Sequence, residues 1–175
     1  MQVFLIRHPQ PVIEAGICYG RLDVDCDNPH ATADRLKRQL PAGIPIFSSP
    51  LQRALKLARA LSPTVRVDHR LSEIDFGAWE GRRWDAIARS EIDAWAEDIL
   101  GFAPPGGESG ATLQARVLDF AASLDYASVA IVTHAGVMRA LLGHWRQLPV
   151  AEWTTLHFGF GELVRLTLPQ GNACP

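Results

Sequence analysis

No apolar run in this chain approaches the length of a membrane span, and the charged residues nearly balance, leaving a net charge of -2. The first lack argues against a membrane partner. The second removes the usual reason to expect a nucleic acid or an acidic surface. Cysteine is scarce: Cys18, Cys26 and Cys174 are odd in number and show no metal-type pairing. That pattern does not make a disulfide framework and suits a reducing compartment. Cys18 reads as a small semi-buried residue rather than a reactive thiol. No basic leader precedes the first apolar run, so the expectation is a cytoplasmic protein. Repeats and low-complexity segments are missing. His30, His69, His144 and His157 lack compact ligand spacing, so no metal is expected. Gly106-Gly107 lacks the Lys-Ser/Thr ending of a phosphate-cradling P-loop. What remains is a chain of 175 residues, 47% hydrophobic and 21% charged, which is enough for one globular domain with a real core.

Apolar runs at 3–7 and 128–133 read as buried strands, with shorter ones at 44–48 and 65–67. Helical spacing covers 30–40, with Asn28 or Asp27 as cap and Pro29 in the first turn. A second helix starts from Ser48-Ser49-Pro50, with a serine cap and Pro50 in its first turn, and runs to Leu61. Others cover 84–100, with a break at Ser90, then 112–124 and 137–145. Residues 156–160 and 162–168 read as a late hairpin-like pair of strands, and 169–175 as a loose tail. Strands alternating with helices predict an α/β fold with a mostly parallel sheet flanked by helices. The segment 84–110 is expected as a helical insertion, or lid, over the sheet edge.

Three strand ends carry polar signals: Arg7-His8, the stretch from Ser48 to Arg53, and Thr133-His134. In open α/β sheets that edge is where ligands bind. Arg53 sits in the first turn of a helix, where a basic side chain opposes the helix dipole, which hints at a task for it. A phosphoryl group needs cationic donors around its oxygens, and a planar guanidinium pairs with two at once. A neutral histidine nitrogen can attack phosphorus. A carboxylic acid, here Glu73, can protonate the leaving oxygen. This set supports covalent phosphoryl transfer with no metal or cofactor.

Five motifs carry a resemblance: Leu5-Ile6-Arg7-His8, Ser48-Ser49-Pro50-Leu51-Gln52-Arg53-Ala54, the stretch from Leu71-Ser72-Glu73 to Trp79-Glu80-Gly81, Gly107-Glu108-Ser109 and Val132-Thr133-His134-Ala135-Gly136. Their order resembles that of the histidine phosphatase superfamily, the phosphoglycerate-mutase-like group, over nearly the whole chain. The resemblance implies His8 as the nucleophile that becomes phosphohistidine. It implies Arg7, Arg53 and His134 as the rest of the phosphate pocket. Glu73 would be the general acid and later the base, and Glu80 a structural carboxylate. Glu108 and Ser109 would brace the site or cap the next helix. The partner implied is a small-molecule phosphate ester.

One departure concerns the nucleophile: Pro9 stands where the family has glycine. It lacks an N–H but keeps the carbonyl that in the family orients the nucleophilic ring, so activity is expected to survive. The Cys18-Tyr19-Gly20-x-x-Asp23 loop resembles α-ribazole phosphatases, which act on α-ribazole 5′-phosphate or adenosylcobalamin 5′-phosphate. That likeness implies Tyr19, Gly20 and Arg21 near the substrate, with Trp79 or Trp84 facing a base. A broad phosphatase or a mutase of the same superfamily is the alternative. The chain length and the altered loop after His8 count against a mutase. A non-catalytic phospho-ligand binder is the alternative of another class.

Overall fold

The first apolar run folds as strand β1 (Gln2–Arg7), and its alternate side chains serve two different cores. A computed structural model describes residues 1–169. After β1 come helix α1 (Pro29–Lys37), β2 (Ile46–Ser48), α2 (Gln52–Leu61), β3 (Val65–Val67), α3 (Arg89–Glu97), α4 (Gly110–Ala122), β4 (Ser128–Thr133), α5 (Ala135–Trp145), the one-turn α6 (Val150–Trp153) and β5 (Leu163–Thr167). The strands form one sheet in the order β3-β2-β4-β1-β5. All neighbours are parallel except β5, which runs antiparallel to β1. The fold is α/β with a mostly parallel sheet, as the alternation of elements predicts.

Phe4 and Ile6, with Ala130 and Val132 of β4, face a layer built from Ala33, Leu36, Ala54, Leu57 and Ala58 of α1 and α2. Val3 and Leu5, with Val129 and Ile131, face Val117, Phe120, Val137 and Leu141 of α4 and α5. A strand buried on both faces reads as an unbroken apolar run, which is why β1 and β4 are legible in the sequence. Each fully buried aliphatic side chain in these rows contributes about 2 kcal/mol relative to exposure.

Three boundaries differ from expectation, each for a local reason. Residues 84–100 do not form one helix: a short 3₁₀ turn at Trp84–Ala86 is followed by α3, with extended backbone at Ile87 and Ala88 between them. Pro50 precedes α2 instead of entering it, and the Gln52 N–H is capped from the distant loop by Asp23 at 2.7 Å. Residues 156–160 are not a strand, because their carbonyls are taken by arginines. Leu156 O accepts from Arg139 Nε at 3.0 Å and Phe158 O from Arg7 at 2.5 Å. Asn28 does cap α1, accepting the Ala31 N–H at 3.3 Å. Residues 170–175, the greater part of the tail expected to be loose, lie outside the described residues.

Candidate active site

The parallel register decides where the polar strand ends meet. Arg7 pairs with Thr133 and Ser48 with Val132 across the adjacent strands β1, β4 and β2. All three strands finish on one edge, so Arg7-His8, Ser48-Ser49 and Thr133-His134 converge there.

His8 is 2% exposed and its Nδ1 lies 2.6 Å from the carbonyl of Pro9. The residue that departs from the family pattern therefore supplies the carbonyl that fixes the ring. With the proton on Nδ1 donated to that oxygen, Nε2 keeps its lone pair. Burial, then the charge of Arg53, holds the His8 pKa down at about 3, so the ring is neutral. Its backbone is held as well, the N–H by Thr133 O and the carbonyl by Gly161 N–H, both at 3.0 Å.

His134 is fully buried, 5.1 Å from His8 between ring centroids. Its Nε2 lies 2.8 Å from Ser49 Oγ, which itself accepts the Leu51 N–H. With the Ser49 proton turned towards Nε2, that nitrogen is the acceptor. The neutral ring, kept so by burial and by Arg53, then carries its N–H on Nδ1. Arg53, also fully buried, donates to Leu22 O at 2.9 Å and Gly20 O at 2.5 Å. Arg7 donates to Phe158 O and lies 3.9 Å from the Phe160 ring centre. Among the described residues, Arg7 Nε, Arg53 Nε, His134 Nδ1 and Trp95 Nε1 are buried side-chain nitrogens without a protein partner. Three of the four are on the residues expected to bind phosphate. Buried unpaired donors are rare, and two of these belong to cations, so the cluster is built for an anion.

Glu73 approaches from the other side. Its carboxylate accepts from Ile74 N–H and Gly136 N–H, each at 3.1 Å. Gly136 is required for that approach: a Cβ there would lie 2.4 Å from Glu73 Oε1. Gly136→Ala should therefore lower kcat/KM by about 100-fold through displacement of the carboxylate. The melting temperature should hold or rise, since alanine favours a helix over glycine. A kinetic assay beside a thermal melt checks both.

The loop from Cys18 to Asp23 supports Arg53 more than it lines the cavity. Cys18 is fully buried, and burial pushes its thiol up to about 12, so it is not reactive. Gly20 has the Ile74 carbonyl 2.0 Å from where a Cβ would stand, and its own carbonyl holds Arg53. Asp23 caps α2, the helix that carries Arg53. The structure does not place Gly20 or Arg21 on the cavity wall. Arg21 points to Glu108 at 3.5 Å and Asp75 at 3.9 Å. Tyr19 does reach the cavity, with its ring 5.3 Å from the Arg53 guanidinium carbon. Glu80 has the structural position expected of it: it accepts the N–H groups of Gly20, Arg21, Leu22 and Phe76 at 2.8–3.0 Å.

The cavity measures about 440 Å³ and opens beside Arg7, His8, Tyr19 and Glu73. Its far wall is apolar and comes largely from the 84–110 segment and α6: Trp84, Trp95, Ile99, Leu100, Val150 and Trp153. Trp84 lines it. Trp79 does not: it is fully buried, and its indole N–H donates to Glu91 at 2.8 Å. Arg139, which none of the five motifs contains, also lines the cavity. A charged residue between Met138 and Ala140, inside an apolar helix, was the available signal.

A family comparison decides what this geometry belongs to: the histidine phosphatase superfamily (branch 1) matches residues 3–173. The chain belongs to the histidine phosphatase superfamily. Its similarity to members of that superfamily spans most of the molecule. Glucosyl-3-phosphoglycerate phosphatase of Mycobacterium tuberculosis is 32% identical over 180 residues, covering 89% of this chain and 79% of the relative. The solved structure of mycobacterial glucosyl-3-phosphoglycerate phosphatase Rv2419c superposes with a TM-score of 0.80 at 31% identity, covering 94% of this chain and 88% of that one. TTHB049 from Thermus thermophilus gives 0.79 at 33% identity, covering 97% and 95%. This superfamily member is thus a phosphatase in fold and in kinship. The names of these relatives do not bear out the α-ribazole specificity that the Cys18–Asp23 loop implies, and the support that loop gives Arg53 accounts for much of its pattern. No described helix is long and apolar enough to cross a membrane.

Proposed function

We propose that this chain is a phosphomonoesterase working through a phosphohistidine on His8. The observation that carries the reading is the neutral His8 ring, locked by Pro9 O, beside three unpartnered donors on Arg7, Arg53 and His134. In the first step His8 Nε2 attacks phosphorus and the bond to the ester oxygen breaks. Arg7, Arg53 and the His134 N–H hold the non-bridging oxygens, and Glu73 gives its proton to the departing alkoxide. In the second step water attacks the phosphohistidine and the Glu73 carboxylate takes its proton. The phosphorus–nitrogen bond breaks and inorganic phosphate leaves.

The apolar wall supports an alcohol that carries a ring able to lie against Trp84, Trp95 or Trp153. α-Ribazole 5′-phosphate fits that description, and the Tyr19 loop pattern favours it. A cavity of about 440 Å³ is small for a corrinoid, so the free nucleotide is the better candidate of the two cobalamin-related esters. Glucosyl-3-phosphoglycerate is the second reading, favoured by the relatives' names and by Arg139, a cation that could take its carboxylate. Steady-state assays with both esters, 3-phosphoglycerate and p-nitrophenyl phosphate test this, together with acid quenching for a labile phosphoenzyme. The expected result is an acid-labile, base-stable phosphoenzyme and a preference of about 10-fold or more for α-ribazole 5′-phosphate over glucosyl-3-phosphoglycerate. The opposite preference would select the second reading. Binding without phosphate release from any ester would mark a non-catalytic member.

A further inference from the structure

The stretch that carries Glu73 has no strand neighbour to satisfy its backbone. Arg70 to Asp75 runs from within the 3₁₀ turn at His69–Leu71 into the loop that follows, and side chains meet its carbonyls one after another. Arg116, on α4, donates from one terminal nitrogen to Arg70 O and Ser72 O, both at 2.7 Å, and from the other to Glu73 O at 3.1 Å. Thr133 Oγ1 donates to the carbonyl between them, Leu71 O, at 2.8 Å. The two remaining Arg116 donations go to Glu108, at 3.1 and 2.5 Å. Glu108 in turn accepts the Asp75 N–H at 3.0 Å and gives its own N–H to Asp75 O at 2.9 Å. The Arg116 and Glu108 side chains are only 15% and 10% exposed.

We infer that Arg116 and Glu108 are positioning residues that clamp the backbone on both sides of Glu73 and so aim its carboxyl at the leaving-group oxygen. The inference rests on the reading of Glu73 as the proton donor. Arg116 lies in the apolar stripe of α4, next to Leu113 and Val117, where a charge is tolerated only if it is fully paired. All five of its N–H donors have partners, which a planar guanidinium can do and an ammonium cannot. The other half of Glu73's geometry comes from α5, whose Gly136 N–H holds the carboxylate itself. Clamp and helix together fix one oxygen position, and Thr133 at the end of β4 holds the Leu71 carbonyl beside them.

Leaving-group chemistry separates positioning from plain structural support. A p-nitrophenolate departs without a proton, whereas an alkoxide needs one, and kcat/KM reports every step up to that departure. Arg116→Lys, Glu108→Gln and Glu73→Gln are each assayed with p-nitrophenyl phosphate and with glycerol 3-phosphate. Glu73→Gln should lose about 100-fold or more on the alkyl ester and far less on the aryl ester. Arg116→Lys should show the same discrimination at about 10–30-fold, and adding it to Glu73→Gln should cost little more. Glu108→Gln keeps the shape of the pair and reads the same effect if Arg116→Lys folds poorly. Equal losses on both esters in the clamp variants, with Glu73→Gln still discriminating, would overturn the inference. No discrimination in Glu73→Gln would bring down the proton-donor reading and the inference with it.

Discussion

His8→Asn is expected to yield no acid-labile phosphoenzyme and to lower kcat by about 10⁴-fold or more, because no other group replaces a covalent nucleophile. Inorganic phosphate should still bind, since Arg7, Arg53 and His134 remain. Turnover of the variant within about 10-fold of the native protein would refute the mechanism. The same variant carries a stability signature. The unfolded chain protonates His8 near its ordinary value of 6.5, whereas in the folded chain burial and Arg53 delay this until about 3. Between those values the unfolded state binds the extra proton, so stability falls as the pH drops through that window. Urea midpoints measured near pH 7 and near pH 5 should therefore differ less in His8→Asn than in the native protein.

Arg53→Lys is the second large expected effect. Arg53 is fully buried and fixes the Gly20 and Leu22 carbonyls, while its Nε has no protein partner. Lysine keeps the charge but cannot serve two carbonyls and a phosphoryl oxygen in one plane. A loss of about 10³-fold in kcat/KM is expected, with a rise in the inhibition constant for inorganic phosphate. Arg53→Ala should add a loss of about 3 kcal/mol in unfolding free energy, since it strands both carbonyls in a dry site. Phosphate inhibition and denaturant titration together measure this. A lysine variant with native phosphate affinity would remove Arg53 from the pocket.

The parts of this architecture that were legible are those in which neighbouring residues determine the outcome. Val3 to Ile6 and Val129 to Val132 are buried on both faces, so their apolar runs mark them, and Pro9 keeps His8 out of a helix. The convergence of Arg7-His8, Arg53 and Thr133-His134 followed from three parallel strands ending on one edge, once the family pattern supplied their order. What was not legible depends on partners far away in sequence. Arg116 and Arg139 look like ordinary helix charges until α4 and α5 are packed. The 156–160 segment carries strand-like residues, but Arg7 and Arg139 take its carbonyls and no ladder forms. Gly20 and Arg21 stand beside a cavity-lining tyrosine, yet Glu80 binds their N–H groups and the Gly20 carbonyl goes to Arg53. The 84–110 segment divides at Ile87, whose side chain is drawn into the aromatic cluster of Phe76, Trp79 and Trp95 instead of continuing a helix.

The strand order has a consequence for how the molecule comes into being. Among the described elements β1 comes first in sequence, yet its two neighbours are β4 and β5, which follow most of the others. A nascent chain must hold this apolar segment without its partners while the elements between them are synthesised. Closing such distant contacts is slow, because the entropy of a long loop is lost before the pairing compensates for it. His8 therefore finds its surroundings only once these distant strands have paired, so recovered activity after refolding should mark the final cooperative event rather than an early one.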